Sequence, residues 1–339
     1  MRKIVVITDA DAGVGRAAAT EFARNGCDVA LLSCDPAKLE RAAVELEQMG
    51  ARALPIPTDM ADAKAVDAAA ERVERELGPM DAWVNVAMGS VSAPVHRLTA
   101  EEFLRGTAVT YLGQVHGTMA AVRHMRPRNR GTIVSVGSAF AYRALPSQSM
   151  YWGAKFAIHG FLDALRSDLY HDKVKITLTA LDLPAENTPQ FDWTIERMGE
   201  LAQSVPRAFP PEVAARAIYR RAFRPRWRIW MEAFIANRIA PGLLDRYLAK
   251  FGPTGRLSDW PSGPDAPGNL FEPVTAAYRA HGRFDHRART RSWEKVAARK
   301  PKAISAAGLI GVSIIAYLLI RRARVEPARR AALRPRWQV

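Results

Sequence analysis

Residues 4–15 read Ile4-Val5-Val6-Ile7-Thr8-Asp9-Ala10-Asp11-Ala12-Gly13-Val14-Gly15, and an Ala-rich run follows to Asn25. A β-branched apolar run, a loop with two glycines and a stretch of helix formers make a strand, a tight turn and a helix. Gly26 supplies the C-cap. Outward from this unit the alternation repeats. Val29 to Ser33 is a second strand, and Asp35-Pro36 caps and starts a helix that ends near Met49 at Gly50. Leu54-Pro55-Ile56 is a short strand, and Asp62 caps a helix to Leu77. Asp81 to Ala87 is a strand, and Thr99-Ala100-Glu101-Glu102 is a capping box that opens a long helix. Gly131 to Gly137 is a strand, Ser149 to Tyr170 a helix and Val174 to Leu181 a strand. The strands are apolar runs and hairpin signals are missing. The pattern predicts a single α/β domain, a doubly wound parallel sheet covered by helices on both faces.

The chain has 339 residues, of which 48% are hydrophobic, enough for one large core plus an extension. Its formal charge of +15 is uneven: residues 276–339 carry sixteen Lys/Arg against Asp285, Glu294 and Glu326. The body is nearly neutral, so the tail alone calls for an anionic partner. After Phe251 the texture changes to Pro/Gly-rich turns. The organisation expected is a folded body over 1–250, a Pro/Gly-rich then basic linker over 251–302, an apolar segment over 303–320 and a basic tail over 321–339. Ala303 to Ile320 is eighteen uncharged residues between Lys302 and Arg321-Arg322. That length is the lower limit for a transmembrane helix, and an interfacial helix on anionic membrane lipid is the rival geometry. The expectation is therefore a membrane-associated protein with its body in the cytoplasm. Nucleic acid is not expected as a partner, since no nucleic-acid fold signature accompanies the arginines. The N-terminal apolar run is too short for a signal peptide. The two cysteines, Cys27 and Cys34, have no disulfide or metal-ligand spacing, so no metal is expected and a reducing compartment is.

Two constellations carry chemistry. Gly13-Val14-Gly15, between strand and helix, is a candidate phosphate cradle, where backbone approaches closely and helix N–H groups face an anion. A tight turn explains two glycines about as well. Tyr151-Trp152-Gly153-Ala154-Lys155 lies in helical context, which puts Tyr151 and Lys155 on one face. Ser138 follows the strand 131–137, thirteen residues before Tyr151. A phenol of pKa about 10 is a poor base at neutral pH, and lowering it by about three units takes roughly 4 kcal/mol, which a nearby ammonium can supply.

The frame Thr8 to Gly15 resembles the short-chain dehydrogenase/reductase pattern T-G-x-x-x-G-x-G, with Asp9 in place of the first glycine. Ser138 with Tyr151-x-x-x-Lys155 resembles that family's active site. The resemblance covers roughly residues 1–235. It implies a Rossmann fold and the NAD(P)(H)-dependent interconversion of an alcohol and a carbonyl. Tyr151 would transfer the proton, Lys155 would bind the nicotinamide ribose and Ser138 would hold the substrate oxygen. By the same resemblance Thr8, Gly13, Val14 and Gly15 form the phosphate cradle, and Asp59 with Met60 lies beside the adenine. Asn85-Val86-Ala87-Met88 takes the place of N-N-A-G, with Asn85 and Ala87 kept. Thr110 stands where many members carry a proton-relay asparagine, its hydroxyl still able to hold water. Pro184-Ala185-Glu186-Asn187-Thr188 resembles P-G-x-x-x-T, with Thr188 near the cofactor's carboxamide and phosphates.

The family decides its cofactor at the end of the second strand, here Ser33 and Cys34. The missing carboxylate leans towards NADP(H), and the missing arginine leaves NAD(H) open. Phe191, Trp193, Ile195 and Met198 occupy the place of the family's substrate lid. They suggest a hydrophobic substrate, or equally a helix packed on the core. Asp9 and Asp11 repel a pyrophosphate unless they point away. With Met88 and Thr110 they motivate the rival reading, a cofactor-binding or regulatory protein with weak or no redox activity. Members often pair through long helices, so a homo-oligomer is a further expectation.

Overall fold

The structure is a computed structural model and describes residues 2–138, 141, 144–198, 200–202, 208–225, 228–229, 257–261, 268–274 and 279–285. Strands β1 (Ile4–Thr8), β2 (Asp28–Ser33), β3 (Ala53–Pro57), β4 (Ala82–Asn85), β5 (Val91–Ser92), β6 (Gly131–Ser138) and β7 (Ile176–Leu183) are followed by β8 (Ile195–Glu196), β9 (Glu200–Ala202), β10 (Arg228–Ile229) and β11 (Leu257–Pro261). Between them run helices α1 (Gly13–Arg24), α2 (Pro36–Gln48), α3 (Ala63–Glu76), α4 (Ala100–Thr107), α5 (Gly113–Met125), α6 (Ser149–His171), α7 (Gln190–Trp193) and α8 (Pro211–Phe223). The main sheet has the order β10-β7-β6-β4-β1-β2-β3, and every pair in it is parallel. Strand order reverses between β1 and β4, which opens a crevice at the carboxyl ends of the strands.

Period-two alternation sends the two faces of each strand into separate cores. Val5, Ile7, Val29 and Leu31 pack with α1, α2 and α8, where Phe22 stands edge-on to Tyr219 and Phe223 at 5.3 and 5.9 Å between ring centres. Ile4, Val6, Ala30 and Leu32 pack with α3 and α5. The caps read from sequence are made: Asp35 accepts from Lys38 N, Asp62 from Lys64 N and Ala65 N, and Thr99 with Glu102 forms the capping box.

Two features differ from the local reading. The long helix after Thr99 is interrupted by a π-helical turn over Ala108–Leu112, which separates α4 from α5. Composition places the end of the body near residue 250, but the compact unit spans Met1–Thr290. Within the 251–302 stretch read as linker, β11 pairs antiparallel with β9, and Leu270 and Phe284 are buried. A few apolar anchors dock a Pro/Gly-rich stretch that has no periodicity of its own. The apolar segment 303–320 and the basic tail 321–339 lie outside the described residues. Among the described residues no helix is long and apolar enough to cross a membrane, and no group of His, Cys, Asp and Glu could hold a metal ion.

Candidate active site

The ends of β1, β4, β6 and β7 converge on a cleft of about 170 Å³. Ser138 enters it as the last residue of β6, and Tyr151 and Lys155 enter from the first turns of α6. The Lys155 Nζ donates to Val136 O at 2.9 Å and lies 5.5 Å from the Tyr151 ring centre. Lys155 is 1% exposed, and burial pushes its ammonium down to about 8 against the pull of Asp182 and Asp9. The Tyr151 ring is held edge-on by Trp152 at 4.8 Å between centres. Met88, Leu145, Trp152, Leu183, Phe191 and Trp193 give the cleft an apolar wall.

The cradle forms the opposite wall. Gly13 has φ +52°, and a Cβ there would lie 3.3 Å from Thr188 Cβ. A Cβ at Gly15 would lie 2.0 Å from the Asp9 carbonyl oxygen. Asp9 itself has φ 57°, so the residue in place of the pattern's first glycine holds left-handed backbone, at a strain of about 1 kcal/mol. Its carboxyl lines the cleft and is pushed up to about 7, first by burial and then by Asp11; Lys38 and Lys155 pull the other way. Burial likewise raises Asp11, while a hydrogen bond from Ser33 and the charge of Lys38 oppose it. Lys38, which the sequence did not single out, is 5% exposed, pairs with Asp35 at 3.4 Å and lies over the Trp193 ring at 5.0 Å.

The structure therefore brings together Gly13, Val14, Ser138, Tyr151, Lys155, Pro184 and Thr188. The run from Pro184 to Thr188 is one residue shorter than P-G-x-x-x-T, yet Thr188 reaches the cradle. Phe191 and Trp193 of the apolar lid also line the cleft, whereas Ile195 packs with Val91 and Leu270 beyond it. Thr8, Gly15, Ser33, Cys34, Asp59, Met60, Asn85 and Ala87, expected at the cofactor, and Thr110, expected at the proton relay, do not line the cleft. Thr8 Oγ1 accepts from Val86 N and Ala87 N at 2.9 and 3.0 Å, which ties β1 to the end of β4. Asn85 braces β4 against α5, accepting from Trp83 Nε1 at 2.7 Å and donating to Thr118 Oγ1 at 3.0 Å. Asp59 binds Arg105 at 2.7 Å, and Met60 O faces His116 Nδ1 at 3.0 Å. Ser33 serves Asp11, and the exposed Cys34 lies 3.6 Å from Thr58 O. Thr110, on the π turn, accepts from Gly89 N at 2.9 Å and donates to Gly89 O at 3.0 Å. Its hydroxyl clamps the loop after β4.

A C-terminal strap also reaches the site. Arg279 O accepts from Gly13 N at 3.3 Å, and Gly282 N and Phe284 N donate to Asn187 O and Oδ1 at 3.0 and 2.9 Å. Arg279 and Arg283 pair with Asp192 on α7, and Asn269 lines the cleft. No local motif in 268–285 announces these contacts.

A family model described as short chain dehydrogenase matches residues 3–187. The chain is 28% identical over 331 residues to the uncharacterized oxidoreductase YxnA of Bacillus subtilis (strain 168), covering 95% of this chain and 91% of that one. To 2,3-dihydro-2,3-dihydroxybenzoate dehydrogenase of the same organism it is 31% identical over 193 residues, 57% of this chain and 73% of that one. The solved structure of 3-ketoacyl-(acyl-carrier-protein) reductase from Brucella melitensis complexed with NADH is similar at a TM-score of 0.58, with 27% identity, over 66% of this chain and 91% of that one. With the parallel sheet and the Ser138–Tyr151–Lys155 cleft already described, the family match makes this chain a member of the short-chain dehydrogenase family.

Proposed function

We propose that the protein is a nicotinamide-dependent oxidoreductase that interconverts an alcohol and a carbonyl on a hydrophobic substrate, with Tyr151 as the proton-transfer residue. One observation carries the reading: the Lys155 ammonium stands on the same helix face as Tyr151, beside a cleft that Ser138 also enters. A dinucleotide fits the residues present. Gly13 N already faces an oxygen acceptor, the Arg279 carbonyl, at the N-terminus of α1, and Gly15 leaves the approach clear of a Cβ. Gly13, Val14 and Thr188 would hold its phosphates and Lys155 its nicotinamide ribose. A bound nicotinamide supplies or accepts the hydride.

The rest is done by the chain. Ser138 orients the substrate oxygen by a hydrogen bond. Tyr151 donates its phenolic proton to that oxygen in reduction and takes it back in oxidation. Lys155 stabilises the phenolate that either direction requires. The apolar wall from Leu145 to Trp193 excludes water and favours a hydrophobic substrate.

The lean towards NADP(H) rests on Ser33 and Cys34 at the end of β2. Asp11 and Lys38 add opposite charges there, so a screen uses both nicotinamides. The test is nicotinamide absorbance with purified protein and a panel of hydrophobic alcohols and ketones; turnover that Tyr151→Phe abolishes supports the assignment. The second reading, a cofactor-binding or regulatory protein without efficient redox chemistry, is favoured by Asp9 in the cradle and by Arg279 O on Gly13 N. A nicotinamide fluorescence change without turnover would select its cofactor-binding form, and no change at millimolar cofactor its regulatory form.

A further inference from the structure

Helix α6 presents more polar groups to the sheet than the reaction uses. Residues 151, 155 and 159 are spaced by four and share a face, so His159 follows one turn beyond Lys155, 8% exposed. Opposite it on β7 is Asp182, 2% exposed, with its Oδ1 3.1 Å from His159 Nε2. Side chains alternate along β7, so Asp182 faces α6 together with Ala180, while Leu181 and Leu183 join the core beneath α1 and α8. Gly137, in register with Asp182 on β6, makes the room: a Cβ there would lie 2.1 Å from Asp182 Oδ1. A buried carboxylate in an otherwise apolar layer is unfavourable unless a cation and hydrogen bonds compensate it. The cation at hand is Lys155, whose Nζ is bonded to Val136 O, the residue preceding Gly137.

We propose that Asp182, held in place by His159, is the counter-ion of Lys155, a positioning residue that keeps the amine charged and fixed while it acts on Tyr151. The proposal rests on the reading of Tyr151 and Lys155 as the proton-transfer pair. Burial alone drives a lysine towards neutrality, and a neutral amine cannot stabilise a phenolate. The carboxylates that act on the ammonium are Asp182 from β7 and Asp9 from the loop after β1, the Tyr151 ring stands 5.5 Å from it, and His159 meets Asp182. Asp182 supports the charge more strongly than Asp9 does. Unlike Asp9, it does not line the cleft, where substrate and phosphates would meet a negative charge.

The test titrates Lys155 in the full chain, without cofactor, by trace acetylation with acetic anhydride across pH and peptide mass spectrometry. The wild-type amine is expected to titrate near 8. Asp182→Asn is expected to lower that value by about one unit or more, Asp182→Glu to restore most of the shift, and Asp9→Asn to lower it less. An unchanged Lys155 titration in an Asp182→Asn protein that keeps its circular dichroism spectrum overturns the proposal. Should Asp182→Asn not fold, the wild type decides. An amine titrating near 10.4, as in water, or at about 6, as for a buried lysine without a counter-ion, also overturns it. This readout involves neither cofactor nor substrate, so it is separate from the proton-transfer reading, which fails instead if Tyr151→Phe retains full turnover.

Discussion

Lys155 Nζ and the Tyr151 ring meet on one face of α6, 5.5 Å apart, because four residues make slightly more than one helical turn. Removing the phenolic oxygen leaves this packing in place, including the edge contact with Trp152. Tyr151→Phe should therefore fold normally and bind nicotinamide as before, while turnover falls by at least about 100-fold. Steady-state absorbance and a cofactor titration on the same preparation separate the two effects.

The Asp9 carboxyl, pushed up from 3.8 to about 7, gives a pH dependence with a definite sign. The folded state binds this proton more tightly than the unfolded chain, so Asp9's contribution to stability falls as pH rises from about 4 towards 7. A neutral Asp9 also tolerates a pyrophosphate better than a charged one. The wild-type dissociation constant for nicotinamide should rise by about fivefold or more between pH 6 and pH 8, and Asp9→Asn should flatten that rise. Asp9→Gly removes both the charge and the left-handed strain, and should add about 1 kcal/mol in thermal unfolding. A pH-independent affinity in the wild type would remove Asp9 from the phosphate site.

Gly15 has no slack. A methyl group there would meet the Asp9 carbonyl oxygen at 2.0 Å, and that atom is backbone. Gly15→Ala should destabilise the fold by about 1–3 kcal/mol and abolish detectable cofactor binding. A melting curve unchanged from wild type would show that the turn can shift after all.

On the proposed reading, a phosphate at Gly13 N would have to displace the Arg279 carbonyl of the strap. Asp285 accepts from Asn187 Nδ2 at 2.6 Å and pairs with His281 at 2.7 Å. Asp285→Ala should loosen it and tighten nicotinamide binding in fluorescence titrations. Burial opposes the charge on His281, but Asp285 and Glu212 outweigh it and raise its pKa above 6.5. The clip is therefore strongest below that range and is lost as pH rises through the raised value. Weaker binding by Asp285→Ala would mean that the strap holds the cofactor rather than excluding it.

The tail expectation has its own measurement. If residues 303–339 seek anionic lipid, the full chain should sediment with anionic vesicles at low salt, leave them at high salt and ignore neutral vesicles. Equal retention on DNA would point instead to a general polycation.

Individual residues show how far sequence reached into the site. Ser138, Tyr151 and Lys155 were legible because a strand end and a four-residue helical spacing are local geometry. Asn85 and Asp59 carry the family's residue types, but the fold uses them as braces to Thr118 and Arg105. Lys38 was not visible as a residue near the site, because only the tertiary fold sets its amine over Trp193 and its charge near Asp9.

By itself the sequence determined the alternation of strands and helices, the caps at Asp35, Asp62 and Thr99, and the shared face of Tyr151 and Lys155. Each depends on neighbours within a single element. Only the tertiary structure decided that Asp182 meets His159, that Arg279 reaches Gly13, and that the π turn sets Thr110 on Gly89. Those contacts join distant parts of the chain, and they follow from which buried faces pack together, which no local period encodes.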